Sequence, residues 1–149
     1  MPGVLGVVGR IDWLELAPNG RPVRSGCAHN LYLSQGQSAA MGWLAGNRPA
    51  GLSPIWLHFG TGTAQPAVSD TALQHFVTAK SATGSAIEGN FTARKSLVLG
   101  GNQMTGLIRE MLLAADAVHP TTAFARATLS ARHDSGNSLV VSWRVVVLA

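Results

Sequence analysis

Charge is scarce in this chain. Asp, Glu, Lys and Arg make up 12% of its 149 residues, where a typical soluble domain has about 25%. A monomer normally covers its surface with more charge than this, so the shortage predicts that other subunits cover part of the surface. Cysteine occurs once, as Cys27, which excludes an intrachain disulfide; the residue reads as a small apolar side chain. No run approaches the roughly 18 apolar residues of a membrane span. The opening MPGVLGVVGR has no basic segment before its short apolar stretch, so no signal peptide is expected and assembly in a cytoplasm is. Basic residues outnumber acidic ones, 11 to 7. They stand singly apart from Arg94-Lys95 and have no interleaved aromatics, so nucleic-acid binding is not expected either.

Chemistry is equally sparse. Gly60-Thr61-Gly62 follows an apolar run as a dinucleotide loop would, but Gln65 stands where the third glycine is required, and Pro66 and Ser69-Asp70 suggest a surface loop. The glycines read as permitting a tight bend at a strand end. The five histidines, His29, His58, His75, His119 and His133, show no metal-ligand spacing. His58, among apolar neighbours, reads as a hydrogen-bonded structural residue. No Gly-x-Ser-x-Gly elbow occurs. Cys27 and His29 share a strand face but have no orienting third group, and no carboxylates pair for acid/base work. Asn90-Phe91-Thr92 matches a glycosylation sequon that has no function without secretion. The residues predict no enzyme, cofactor or metal.

What is present is strand periodicity. Val7–Leu16 and Val23–Leu33 flank Asn19-Gly20, a hairpin turn signal; Ile11, Trp13 and Glu15 share one face of the first run. Gln35–Leu44 is the helix candidate, with Ser38 as its cap and Gly46 as its stop. Further strands are expected at Ile55–Phe59, Gln74–Ser81, Ala86–Leu99, Thr105–Ala114, Ala123–Ala131 and Ser138–Leu148. In the last, Leu139, Val141, Trp143, Val145 and Val147 alternate with a second set, which places Trp143 in the core. About eight short strands with regular turns predict an all-β fold, an antiparallel sandwich or barrel-like (jelly-roll-like) domain with one or two short helices. Residues 1–8 read as an N-terminal arm and 9–149 as one domain. Arg109-Glu110 is the one charged pair in a strongly apolar strand. Neighbouring strand residues face opposite ways, and an unpaired buried charge costs about 3–5 kcal/mol, so whichever is buried needs a specific partner, a subunit contact or a buried polar group; the alternative is that both sit at an exposed strand edge.

Several of these pieces together resemble a pattern found in small tailed-bacteriophage virion proteins. A first strand led by a glycine is followed by Asn30-Leu31 to Gly36 and an alanine-rich helix. Gly60 to Leu73, GTGTAQPAVSDTAL, comes next. Gly106, Ile108, Arg109, Glu110 and Leu113 fit a G-x-I-R-E-x-x-L strand, Phe124-Ala125-Arg126 an A-R strand, and Ser138 to Trp143 the closing strand. Gln74-His75 and Met111-Leu112 depart from it, standing where small or acidic residues and Ala-Gly are usual. The resemblance implies a virion structural protein, foremost a homotrimeric capsid decoration (cement) protein that clamps the major capsid protein on the outer surface of the head. Similar modules occur in tail-fibre and baseplate proteins, so a tail, neck or baseplate role is the alternative. Met1, Pro2, Gly3, Val4 and Leu5 of the arm, with Arg109 and Glu110, are the candidate partner contacts. A carbohydrate- or small-ligand-binding module is a further reading, and it requires Trp13, Trp43 or Trp56 to line a groove.

Overall fold

The computed structural model describes residues 6–46, 54–88, 92–118 and 122–148. Its elements are β1 (Gly6–Leu16), β2 (Pro22–Tyr32), α1 (Ser34–Leu44), β3 (Trp56–Gly60), β4 (Phe76–Ser81), β5 (Gly84–Glu88), β6 (Thr92–Leu99), β7 (Gly106–Ala114), β8 (Ala123–His133) and β9 (Ser138–Leu148). The nine strands form one antiparallel sheet in the order β4-β3-β7-β8-β2-β1-β9-β6-β5, curled into a half-barrel. The chain is therefore all-β and barrel-like, as the periodicity predicts.

Local chemistry explains most of these elements. Gly20 takes a φ of 82° in the β1–β2 turn, where its N–H bonds Ala17 O at 2.8 Å. Gly46 ends α1 with a φ of 86°, as expected of a C-terminal glycine. The start of α1 differs from expectation. It begins at Ser34, so Ser38 lies inside the helix and caps nothing. The entry is fixed by tertiary hydrogen bonds instead: Leu33 N–H to Phe124 O and Ser34 N–H to Val68 O, both 2.8 Å. A Cβ on Gly36 would come within 2.7 Å of the Phe124 backbone, so that glycine lets α1 lie directly on β8.

The expected run Ala86–Leu99 is two strands, β5 and β6, paired with each other from Gly84↔Ser96 to Glu88↔Thr92. Continuous strand propensity hides the reversal between them. Gly6, Val7 and Val8, read as part of an arm, belong to β1 and pair with Leu148, Val147 and Val146. Residues 1–5 lie outside the described residues, as do Asn90, Phe91 and His119.

Two segments change partners and so curl the sheet. β2 pairs with β1 through most of its length, then Leu31 and Tyr32 pair with Arg126 and Ala125 of β8. β4 and β5 occupy opposite ends of the strand order, yet only Ala82 and Thr83 separate them. Ala82 N–H bonds Ile55 O beside β3 at 2.7 Å, and Thr83 N–H bonds Ser96 O on β6 at 2.9 Å.

The main core lies within the curl and includes Ile11, Phe59, Leu97, Leu99, Ile108, Met111, Leu113, Val141 and Trp143. A second cluster, Leu33, Leu73, Leu112, Ala114 and Ala123, is independent of it. Leu112 and Leu113 are adjacent and face opposite ways, so β7 is buried on both faces. The second face is where the longest described loop of the chain, Thr61 to His75, comes to lie.

Candidate functional site

Glu110 is the centre of that second face. It is fully buried and pairs across the sheet with Gly60 on one side and Thr128 on the other. Its carboxylate accepts three backbone N–H groups from the two ends of the loop: Gly62 at 2.6 Å, Gln74 at 2.8 Å and His75 at 2.7 Å. It also accepts Arg126 Nη2 at 3.1 Å. Arg126 is almost fully buried itself and donates to Asp70 Oδ2 and to Ala64 O, both at 2.9 Å. Asp70 Oδ2 in turn accepts Ala67 N–H at 2.8 Å, and Leu73 fills the apolar cluster below. The loop is thus bound to the sheet along its whole length.

Such a carboxylate must be ionised to accept four donors. Burial pushes its pKa up, but the N–H groups of His75 and Gln74, the Arg126 guanidinium and the Gly62 N–H more than offset this, and Glu110 titrates below the ordinary carboxylate range.

The two glycines before the loop serve this carboxylate. Neither has a positive φ, so the expected tight bend is not their reason. A Cβ on Gly60 would collide with His75 O and come within 2.8 Å of Glu110 Oε2; one on Gly62 would collide with Glu110 Oε2 and come within 2.6 Å of Gln74 Cβ. They are glycines because the backbone passes directly over Glu110. The departure at Gln74 also acquires a role: its Oε1 accepts Thr63 N–H and Ala64 N–H, both at 2.9 Å.

A second buried carboxylate, Glu15, lies on β1. It accepts Asp134 N–H at 2.7 Å and Asn137 Nδ2 at 3.0 Å, and pairs with Arg24 Nε at 2.8 Å. Arg24 also reaches Asp134, which holds Arg132 at 3.0 Å. Burial pushes the Glu15 carboxyl up, but the Asp134 N–H, Asn137 and Arg24 bring it below its ordinary value. This group fastens the β8–β9 turn to the end of β1.

A third contact joins β1, β2 and β9. Trp143 is fully buried, as its alternation predicts, and its indole N–H donates to Asn30 Oδ1 at 2.8 Å. The Asn30 side chain occupies the space that a Cβ on Gly9 would need.

His58 is buried, and its Nε2 sits 2.6 Å from Asp116 O. A carbonyl only accepts, so Nε2 carries hydrogen, which suits the structural role expected of this residue. Cys27 and His29 are both exposed. Among the described residues no three His, Cys, Asp or Glu side chains gather as a metal-ligand set, and no helix is long and apolar enough to cross a membrane.

Of the candidate partner contacts, the structure separates the two on β7. Glu110 is buried and fully engaged within the chain, so it has no surface to offer a partner. Arg109 is exposed. The sequence identifies Arg109 and Glu110 as a pair in which a buried member would need a partner; it does not identify Arg126 as that partner, or Asp70 as the acid beyond it. The available signal was a lone arginine in the alanine-rich AFARATLSA strand. Comparison with protein-family models, curated proteins and solved structures gives no match.

Proposed function

We propose that the chain is a structural protein of a tailed-phage virion, a homotrimeric capsid decoration protein that binds the major capsid protein and holds neighbouring capsid subunits together. The carrying observation is spatial. The pieces quoted for the resemblance are scattered along the sequence, yet they meet in two places: Gly60, Gly62, Asp70, Glu110 and Arg126 in one, and Gly9, Asn30 and Trp143 in the other. Gly36 adds a third close approach, to β8. Residues that serve one another in this way are the specification of a fold, so a likeness at these positions is a likeness in architecture.

The surface supports an assembly role. β4 ends the strand order and so has one edge without a strand neighbour among the described residues; its Phe76 and Val77 are exposed, as are Val68 and Val98. An apolar sheet edge is a natural association surface. In a trimer, three linked contacts raise avidity without stronger single contacts, and each stable interface would bury about 1,200–2,000 Å². The ligand-binding reading has less support, because Trp13 packs against the main core and covers Gly26.

Imaging of virions carrying a label on this protein tests the proposal. A label over the head in hundreds of copies, with a trimer in sizing chromatography of the purified chain, is the expected result. A label restricted to the tail tip in a dozen copies moves the protein to the tail or baseplate role. A dilute monomer with no virion association overturns both.

A further inference from the structure

Arg109 is placed by an irregularity in the β7–β8 ladder. Ile108 pairs with Ala131 and Glu110 with Thr128, so one more residue is used on β8 than on β7 at this point. Bulges of this kind re-aim a side chain. Here the result is an open recess of about 270 Å³ lined by Thr63, Arg109, Thr128 and Leu129. Among the described residues, no acidic side chain lines it and Arg109 has no hydrogen bond or ion pair. Arg10, Arg24, Arg126 and Arg132, by contrast, are each held by a carboxylate. The nearest candidate in sequence, Glu110, is committed to Arg126 and three backbone N–H groups and does not compete for Arg109.

The walls of the recess are fixed before any ligand arrives. Thr63 N–H is bound by Gln74 Oε1 at 2.9 Å, within the loop that Glu110 and Arg126 fasten. Thr128 is fixed by its register opposite Glu110. The lining residues carry two hydroxyls and one guanidinium, all groups able to donate, and one apolar side chain, Leu129.

We propose that this recess is a binding site for a single carboxylate group, the side chain of an Asp or Glu or the chain end of a partner polypeptide. The guanidinium fork matches a carboxylate with two parallel N–H···O bonds. One cation balances one negative charge. A phosphate dianion generally draws several cations or a cluster of backbone N–H groups, which this recess does not have. Its volume is below the roughly 300–1,000 Å³ of sites that enclose drug-sized molecules, so it admits a terminal group and not a whole nucleotide. The site stands on its own geometry, whether or not the chain is a virion protein.

Titration of the purified full chain with sodium acetate, at constant ionic strength, followed through the Arg109 Nε–H and the Thr63 and Thr128 amide NMR signals, tests the proposal. The expected result is saturable movement of these signals with half-saturation in the millimolar range. It is abolished in Arg109→Gln, weakened several-fold in Thr63→Val with Thr128→Val, and unchanged in Arg21→Gln, which removes another exposed cation. The dispersion of the remaining amide signals reports that each variant is folded. Movement that does not saturate, or that survives in Arg109→Gln, overturns the site. Inorganic phosphate saturating at tenfold lower concentration than acetate overturns the assignment to a carboxylate.

Discussion

Glu110 and Glu15 are both carboxylates with no exposed surface, and each fastens a loop to the sheet, but they are held differently. Glu110 receives three backbone N–H groups and an arginine whose side chain is 3% exposed. Glu15 receives one backbone N–H, one side-chain amide and an arginine that is 39% exposed. At Glu110 the arginine is shut away with the acid, so solvent cannot take the acid's place beside it. At Glu15 the cation side is already wet, and water can take over part of the role. The donor set around a buried charge, more than its burial, decides how much of the fold depends on it.

Four perturbations test that difference. The largest effect is expected from Glu110→Ala, which leaves the buried Arg126 with only Asp70 as a counter-charge and strips three N–H groups of their acceptor. Urea unfolding at neutral pH should show a loss of about 3–5 kcal/mol; a loss below about 1 kcal/mol would mean that the loop finds other acceptors. Gly62→Ala comes next. The added methyl meets Glu110 and Gln74, and overpacking of this kind costs about 1–3 kcal/mol. Hydrogen exchange should become faster at Gln74 and His75 while β9 stays protected. Glu15→Gln keeps the size of the side chain and one acceptor oxygen, so a smaller loss of about 1 kcal/mol is expected, confined by exchange measurements to the β8–β9 turn.

The smallest effect is a change of slope with pH. Both carboxyls titrate below their ordinary range when folded. The unfolded chain therefore takes up protons first as the pH falls. The stability each group contributes is complete above the ordinary glutamate value and is lost as the pH falls through the depressed one. Unfolding free energy measured across the acid range should fall less steeply in Glu110→Gln and in Glu15→Gln than in the parent chain. An unchanged slope in Glu110→Gln would show that its carboxyl is not ionised as drawn.

The sequence made the local features legible and left the long-range ones hidden. Asn19-Gly20, the alternation of β9 and the α1 segment can be read directly, because turn chemistry and period-two burial are properties of neighbouring residues. The β5–β6 reversal is invisible for the same reason: strand-forming residues run through it without a break. Glu110 stood out as a charge in an apolar strand. Its partner Arg126 is 16 residues away, and Asp70 stands 56 residues before that arginine; only the fold brings them together. Gly60 and Gly62 were legible as required glycines, but the cause lay in a carboxylate from another strand. Glu15 was visible only as a face-mate of Ile11 and Trp13, because nothing local shows that the β8–β9 turn closes over it.

The two-residue link at Ala82-Thr83 has a mechanical consequence. It ties the first and last strands of the sheet order together like the clasp of a hoop, with one backbone hydrogen bond to each side. Neither rim can peel away without dragging the other, so fraying at β4 and β5 is a shared event, and the whole wall opens as one cooperative unit.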